Sequence, residues 1–386
     1  MIRIKGQFNT AKVFTDSLEE KAIAQIRELC NQEFTKGSVI RIMPDAHLGA
    51  GCTIGTTMTV TDKIVPNLVG VDIGCGIETI RLKQREMDLE RLDQIIHRSI
   101  PAGFNIRKRE HRYVENIDFN RLVCKNHVNL KRARLSIGTL GGGNHFIEVN
   151  RDEDGALYLV VHSGSRHLGK QVADHYQKLA YTELTKGAGG YGQGKKKGRR
   201  GAKQETGPGK ISRHLAYLEG ESYDNYLHDM KIIQRYASYN RKAIVDEIIN
   251  RMGLEVEEQL TTIHNYIDLD SMILRKGAIS AREGEKIIIP INMRDGSLLC
   301  IGKGNKDWNY SAPHGAGRLM SRREARRVLD LKEFKESMKG IYTTTANRST
   351  LDECALAYKP MDEIINNIQD AAEVIAILTP IYNFKG

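Results

Sequence analysis

The run Val71-Asp72-Ile73-Gly74-Cys75-Gly76 sets a carboxylate and a thiol three residues apart on a glycine-rich turn, which is metal-ligand spacing. Thiolate, carboxylate and imidazole bind divalent first-row metals. Isolated histidines recur in comparable settings: Gly141-Gly142-Gly143-Asn144-His145, Val161-His162-Ser163-Gly164-Ser165-Arg166, His264-Asn265 and Pro313-His314-Gly315-Ala316-Gly317-Arg318. A lone Cys is usually a small hydrophobe and Asp-x-Gly usually a turn. The recurrence of further donor-bearing segments turns Asp72 and Cys75 into candidate ligands. For His162 and His264 the alternatives are a strand-end histidine bonded to backbone and a surface residue.

His314 is a candidate of a different kind. A neutral imidazole can attack the α-phosphorus of a nucleotide and form a phosphoramidate that breaks in a later, easier step. The small residues Gly315, Ala316 and Gly317 let backbone approach phosphates, and Arg318 offers a bidentate contact. Two other phosphate chemistries are excluded. Gly189-x4-Gly194-Lys195 is followed by Lys196 where a P-loop needs Ser or Thr, and no apolar strand precedes it. No Lys-x-Asp-Gly run occurs, so the lysine nucleophile of ATP-dependent nucleotidyl ligases is missing.

The elements that must hold these residues are legible from periodicity. A helix is predicted from about Ser17 to Glu33, with Ala22, Ile23, Ile26, Leu29 and Cys30 on one face. Strands are predicted at Ser38 to Met43, Thr56 to Val60, Ile77 to Leu82 and Leu157 to Val161, which places the Asp72/Cys75 turn between strands and His162 at a strand exit. Tyr223, Leu227, Met230, Ile233, Ala237, Ile244 and Ile248 predict a long helix that stops at Gly253. Ser321 to Met338 reads as a basic helix. Met361 to Leu378 reads as another, ended by Pro380.

The stretch from Gly187 to Lys210 holds nine glycines, seven basic residues against Glu205, and no Ile, Leu, Val or Phe. It cannot bury a core and is expected to be a flexible loop that meets phosphates. Six of the ten net positive charges lie there. Hydrophobic residues make up 40% and charged residues 27%, and no apolar run approaches the roughly 18 residues of a membrane span. The six cysteines form no Cys-x-x-Cys pair and the N-terminus lacks a signal-peptide core, so a cytoplasmic protein is expected.

Met43-Pro44-Asp45-Ala46-His47-Leu48-Gly49, Gly138-Thr139-Leu140 through Glu148, the His-Gly-Ala-Gly-Arg run and Lys385-Gly386 follow one another in this order. Together they resemble the RtcB family of RNA-splicing ligases over most of the chain. The resemblance implies an α/β (α+β) fold: a single unit spanning residues 1–386, central β-sheets surrounded by helices, and a pocket on loops at strand ends. It implies two Mn²⁺ per chain, one on Cys75, His162 and His264 and a second sharing the Cys75 thiolate with Asp72 and His145. The donor set alone would also suit zinc. It further implies GTP as cofactor, His314 as the guanylated residue, and a nucleotide pocket of Asn144, His145, Phe146, Ile147, Glu148, His264, Asn265, Pro290, Ile291, Asn292, Met293, Ser297, His314, Gly315, Ala316, Gly317 and Lys385. Glu148 and Lys385 suit guanine, because a carboxylate accepts from N1 and N2 while an ammonium donates to O6.

The implied reaction joins RNA 3′-phosphate or 2′,3′-cyclic phosphate ends to 5′-hydroxyl ends in tRNA splicing or RNA repair, with an archease-like activator as a possible partner. Departures from the family pattern occur at Ala50, His167, Ile291 and Arg294. None removes a ligand, and they bear on the choice of RNA end. Two other functions fit the residues. A metal-dependent phosphoesterase would use the same donors to activate water, and a catalytically silent RNA-binding protein would rely on the basic stretch.

Overall fold

The computed structural model describes residues 1–187 and 212–386, so the basic stretch, apart from Gly187, lies outside the described residues. The architecture is mixed α/β. The larger sheet has seven strands in the order Lys286–Asn292, Gly296–Gly302, Ala372–Lys385, Phe146–Arg151, Leu157–Ser163, Gly76–Leu82 and Val256–Ile263. Every neighbouring pair in it is antiparallel. A six-stranded sheet runs Ile2–Lys5, Thr10–Val13, Ile40–His47, Ile54–Thr59, Ile273–Lys276 and Asn265–Asp268, and Ala278–Ser280 pairs with Ser311–Pro313.

One helix, Gly220–Met252, serves both sheets. Its Tyr226, Met230, Ile233 and Tyr236 pack with Ile40, Met58 and Leu274 of the smaller sheet, whereas Ile244, Val245 and Ile248 pack with Ile80, Ile147 and Leu159 of the larger. These apolar positions recur every three or four residues, which is why one helix can bury a continuous stripe. Gly253 ends it in the left-handed region at φ 69°, its N–H bonded to the Ile249 carbonyl. The predicted stop is therefore met. So are the first helix, Glu20–Cys30, and the predicted strands.

Two expected helices are corrected. The basic segment forms two short helices, Arg322–Val328 and Leu331–Ser337, because the Asp330 side chain caps a new start by accepting from the N–H groups of Lys332 and Glu333. The segment from Met361 is helical only to Ile368 and then becomes the strand Ala372–Lys385. That strand pairs with Gly296–Gly302 through its first half and with Phe146–Arg151 through its second, so ladder bonds on both flanks override a helical apolar spacing. Pro380 does not end a helix. It sits at a register shift within the strand, where its missing N–H costs no ladder bond.

Candidate active site

Four neighbouring strands of the larger sheet bring their ends to one edge. Gly76 is paired with both Ser163 and Ile263, and Phe146 with His162. With strands about 4.8 Å apart, Cys75, His145, His162 and His264 must meet there although they are far apart in sequence. Cys75 Sγ lies 3.3 Å from His162 Nε2 and 3.5 Å from His145 Nε2, and the Nε2 atoms of His162 and His264 are 3.3 Å apart. Asp72 Oδ2 is 3.1 Å from His145 Nε2. The donor atoms of Cys75, His162 and His264 lie within 4.8 Å of one another, as do those of Asp72, Cys75 and His145. Cys75 belongs to both groups.

Backbone holds this geometry. Asn240 and Arg241, both fully buried on the long helix, reach three ligand-bearing segments. Arg241 donates to the Gly74 carbonyl at 2.8 Å and the Ser163 carbonyl at 3.1 Å. Asn240 accepts from the N–H groups of Gly138 and Thr139 and donates to Ser163 Oγ and the Gly164 carbonyl. The Asp72 carboxylate accepts from the N–H and hydroxyl of Ser165 at 2.9 and 3.0 Å. A Cβ on Gly164 would come within 2.4 Å of it, so any larger residue there must displace the carboxylate.

The ring orientations suit metal ligation. His162 Nδ1 faces the Asn144 carbonyl at 3.1 Å and His145 Nδ1 the Leu140 carbonyl at 2.9 Å, so each can carry its proton on Nδ1 and offer an Nε2 lone pair. Arg166 Nη1 also lies 2.9 Å from His145 Nδ1. It can donate only to the other tautomer, in which Nε2–H is directed at Asp72. A Cβ on Gly141 would collide with the Arg166 guanidinium at 1.7 Å, so this arginine depends on that glycine. Burial pushes His162 and His264 well below the usual imidazole range and lowers His145, keeping all three neutral. Burial and the neighbouring Asp72 push the Cys75 thiol well above its usual range. A bound metal would draw off that proton, as thiolate ligation requires. Although burial opposes it, the hydrogen bond from His145 and the charge of Arg166 hold Asp72 well below the usual carboxylate range.

His314 stands beside this cluster, its ring centroid 4.9 Å from that of His264. Its Nδ1 lies 2.6 Å from Oδ2 of the fully buried Asp45, which leaves Nε2 free. It opens on a cavity of about 300 Å³ lined by Asn144, Phe146, Glu148, His162, Pro290 to Met293, Gly315 to Gly317 and Lys385. A second cavity of about 220 Å³ meets the first at His314, Asn144 and Ile54 and is lined by Asp72, Cys75, His264, Asn265 and Lys276. Burial pushes the Glu148 carboxyl up to about 7, against the opposing charge of Lys385.

Most of the predicted pocket residues thus converge. His145, Ile147 and Ser297 do not line either cavity: the His145 ring faces Asp72 and Cys75, the Ile147 side chain joins the hydrophobic cluster on the other face of its strand, and Ser297 is fully buried. Arg318 lines the larger cavity, but its guanidinium is bonded to the Tyr358 hydroxyl, Glu353 and the carbonyls of Met320 and Asp352. Of the departures, Ile291 lines the larger cavity and Ala50 the smaller, Arg294 pairs with Asp295 at 2.7 Å, and His167 is exposed. Sequence reading assigned no role to Asp45, His47, Arg166, Asn240, Arg241, Glu353 or Tyr358. The first three stand inside the recognised motifs, and that proximity was the available signal. The others carry no local pattern.

The family model described as tRNA-splicing ligase RtcB matches residues 25–130 and 116–386. The chain belongs to the RtcB family. It is 31% identical over 393 residues to the RNA-splicing ligase RtcB of Escherichia coli K12, with 90% of each chain covered. It is 27% identical over 463 residues to a tRNA-splicing ligase RtcB of Aeropyrum pernix, covering 95% of this chain and 92% of the relative. A tRNA-splicing ligase RtcB of Methanococcus maripaludis is 25% identical over 479 residues, covering 100% of this chain and 95% of the relative. These RtcB proteins match along nearly their whole length, so the clustered residues lie within the shared region. Among the described residues no helix is long and apolar enough to cross a membrane.

Proposed function

We propose that this RNA ligase of the RtcB family uses GTP and Mn²⁺ to join RNA 3′-phosphate or 2′,3′-cyclic phosphate ends to 5′-hydroxyl ends through guanylated His314. The observation that carries the reading is the orientation of His314. A buried carboxylate accepts the hydrogen bond of its Nδ1–H, and the remaining Nε2 is left on a ring that lines both the nucleotide-sized cavity and the cavity beside the Cys/His/Asp cluster. Cys75, His162 and His264 would hold one Mn²⁺, and Asp72, Cys75 and His145 a second. Such cations, when bound, neutralise phosphate charge and polarise the phosphorus under attack.

The protein's own groups account for the rest. Glu148 and Lys385, which line the same cavity, select guanine. His314 Nε2 attacks the α-phosphorus of GTP, a P–N bond forms, the bond to the β-phosphate oxygen breaks and pyrophosphate leaves. Positive charge that develops on the ring is balanced by Asp45. The RNA 3′-phosphate oxygen then displaces His314 from the GMP phosphorus, and a 5′-hydroxyl attacks the RNA phosphorus and expels GMP. A cyclic end requires prior addition of water to its phosphorus.

Incubation with α-labelled GTP and Mn²⁺, followed by a denaturing gel, tests this reading. Acid-labile label on the wild type and none on His314→Ala is the expected result. A protein that hydrolyses phosphoesters in the same mixture without covalent label would favour the phosphoesterase instead.

A further inference from the structure

The larger cavity is lined by two buried carboxylates and one buried ammonium, and the ammonium is not shared between them. Lys385 Nζ lies 2.7 Å from Glu353 Oε2 and 3.3 Å from the Asn144 carbonyl, 5.0 Å from the centroid of the Phe146 ring. Glu353, 2% exposed, also accepts from the Tyr358 hydroxyl at 2.9 Å and from Arg318 at 3.4 Å, and is paired with Arg322. Glu148, 3% exposed, is met only by neutral amides, Asn383 Nδ2 at 2.5 Å and Asn150 Nδ2 at 3.4 Å. Among the described residues the only ion pair of Lys385 is with Glu353.

We infer that Glu353 is a positioning residue for base selection: by holding Lys385 it keeps the ammonium from pairing with Glu148, so that both groups remain free to read the nucleobase. The inference rests on the guanine pocket proposed above. An ammonium has three N–H groups. Two are taken by Glu353 and Asn144, and one is left for an acceptor on the base. Without Glu353 the other buried carboxylate lining the cavity is Glu148, and two opposite charges in a water-poor pocket pair strongly. That pair would remove the donor for O6 and the acceptor for N1 and N2 together. Arg318 and Arg322, which line the same cavity, also pair with Glu353 and hold it in place, so it cannot follow Lys385. The charge pattern thus assigns separate tasks to two carboxylates that sequence alone leaves indistinguishable.

The test measures labelling of His314 in the full chain with Mn²⁺ against concentration of GTP, ITP and 2,6-diaminopurine riboside triphosphate. ITP keeps the O6 acceptor, whereas diaminopurine replaces it with an amino donor. Wild type should use GTP and ITP and reject diaminopurine. Glu353→Gln should raise the half-saturating GTP concentration roughly 10- to 100-fold, the range of a hydrogen bond to a charged group. It should lower the GTP preference over diaminopurine similarly, while labelling at saturating GTP and bound Mn²⁺ stay near wild type. Glu353→Asp, which keeps the charge, should fall between. An unchanged preference in folded Glu353→Gln overturns the inference, as does loss of the folded state in both variants, which would mark a purely structural residue. Wild type that takes no label from any nucleotide overturns the guanylation reading as well, so the two failures are distinguishable.

Discussion

Asp45 Oδ2 lies 2.6 Å from His314 Nδ1, and the same residue's carbonyl accepts from His47 Nδ1 at 2.9 Å. One aspartate thus orients two imidazoles that line the nucleotide-sized cavity. Its position is itself constrained. Gly317 sits at φ +78°, and a Cβ there would approach the Asp45 carbonyl to 2.4 Å, so the loop that carries His314 closes over Asp45 only with glycine at that point. A buried carboxylate that fixes a tautomer is worth far more than a surface ion pair, because its loss puts the proton on the wrong nitrogen.

Asp45→Asn should therefore leave bound metal unchanged and slow guanylation by about 10²- to 10⁴-fold, by analogy with tautomer loss in catalytic triads. Single-turnover labelling with GTP measures it. A rate within a few-fold of wild type would mean that Asp45 does not orient the nucleophile.

Cys75 is the one residue common to both donor groups. Cys75→Ala is expected to lose nearly all bound Mn²⁺, whereas His145→Ala, which serves one group, should keep about half. Elemental analysis after gel filtration reads this directly. Equal metal content in wild type and Cys75→Ala would refute a bridging thiolate.

The Glu148 carboxyl is pushed by burial from 4.5 up to about 7. The sign follows. The folded state binds the proton more tightly than the unfolded state, so this group's contribution to stability is fully present below the unfolded value of 4.5 and is lost as pH rises through 7. Guanine needs the ionised form. The affinity for GTP should accordingly increase from roughly pH 6 to pH 8, the interval in which a carboxyl shifted to about 7 ionises, and Glu148→Gln should bind weakly with no such rise. Nucleotide titrations across that range decide. A flat wild-type profile would exclude Glu148 as the acceptor for N1 and N2.

The candidate ligands Asp72, Cys75, His145 and His162 were legible in the sequence because each stands beside glycines near a strand end, and because strand alternation is a local signal; His264 has no glycine near it and was legible only from the family resemblance. What joins them was not. Asn240 and Arg241 sit in the middle of an unremarkable helical pattern, and only the packing of that helix across both sheets reveals that they tie together the segments carrying Cys75, His145 and His162. The strand Ala372–Lys385 was hidden for a related reason. Its Ala372, Ile375 and Leu378 fit a helical spacing as well as an extended one, and the deciding ladder bonds come from residues 146–151 and 297–302. Long-range pairing outweighs local periodicity there, and it is what brings Lys385 to the cavity.

Gly164→Ala supplies the sharpest separation of the two donor groups. The backbone at Gly164 has no positive φ, so alanine brings no conformational strain of its own. Its Cβ would nevertheless meet the Asp72 carboxylate at 2.4 Å and force it away from Ser165 and His145. The crowding should cost about 1 to 3 kcal/mol of stability, the usual range for an overpacked buried site. Metal held by Asp72, Cys75 and His145 should weaken, while Cys75, His162 and His264 retain theirs. Expected, then, is about one Mn²⁺ in place of two, with a lowered melting temperature. Full metal content in a destabilised variant would show that Asp72 is not a ligand, and a loss equal to that of Cys75→Ala would show that the two groups do not bind independently.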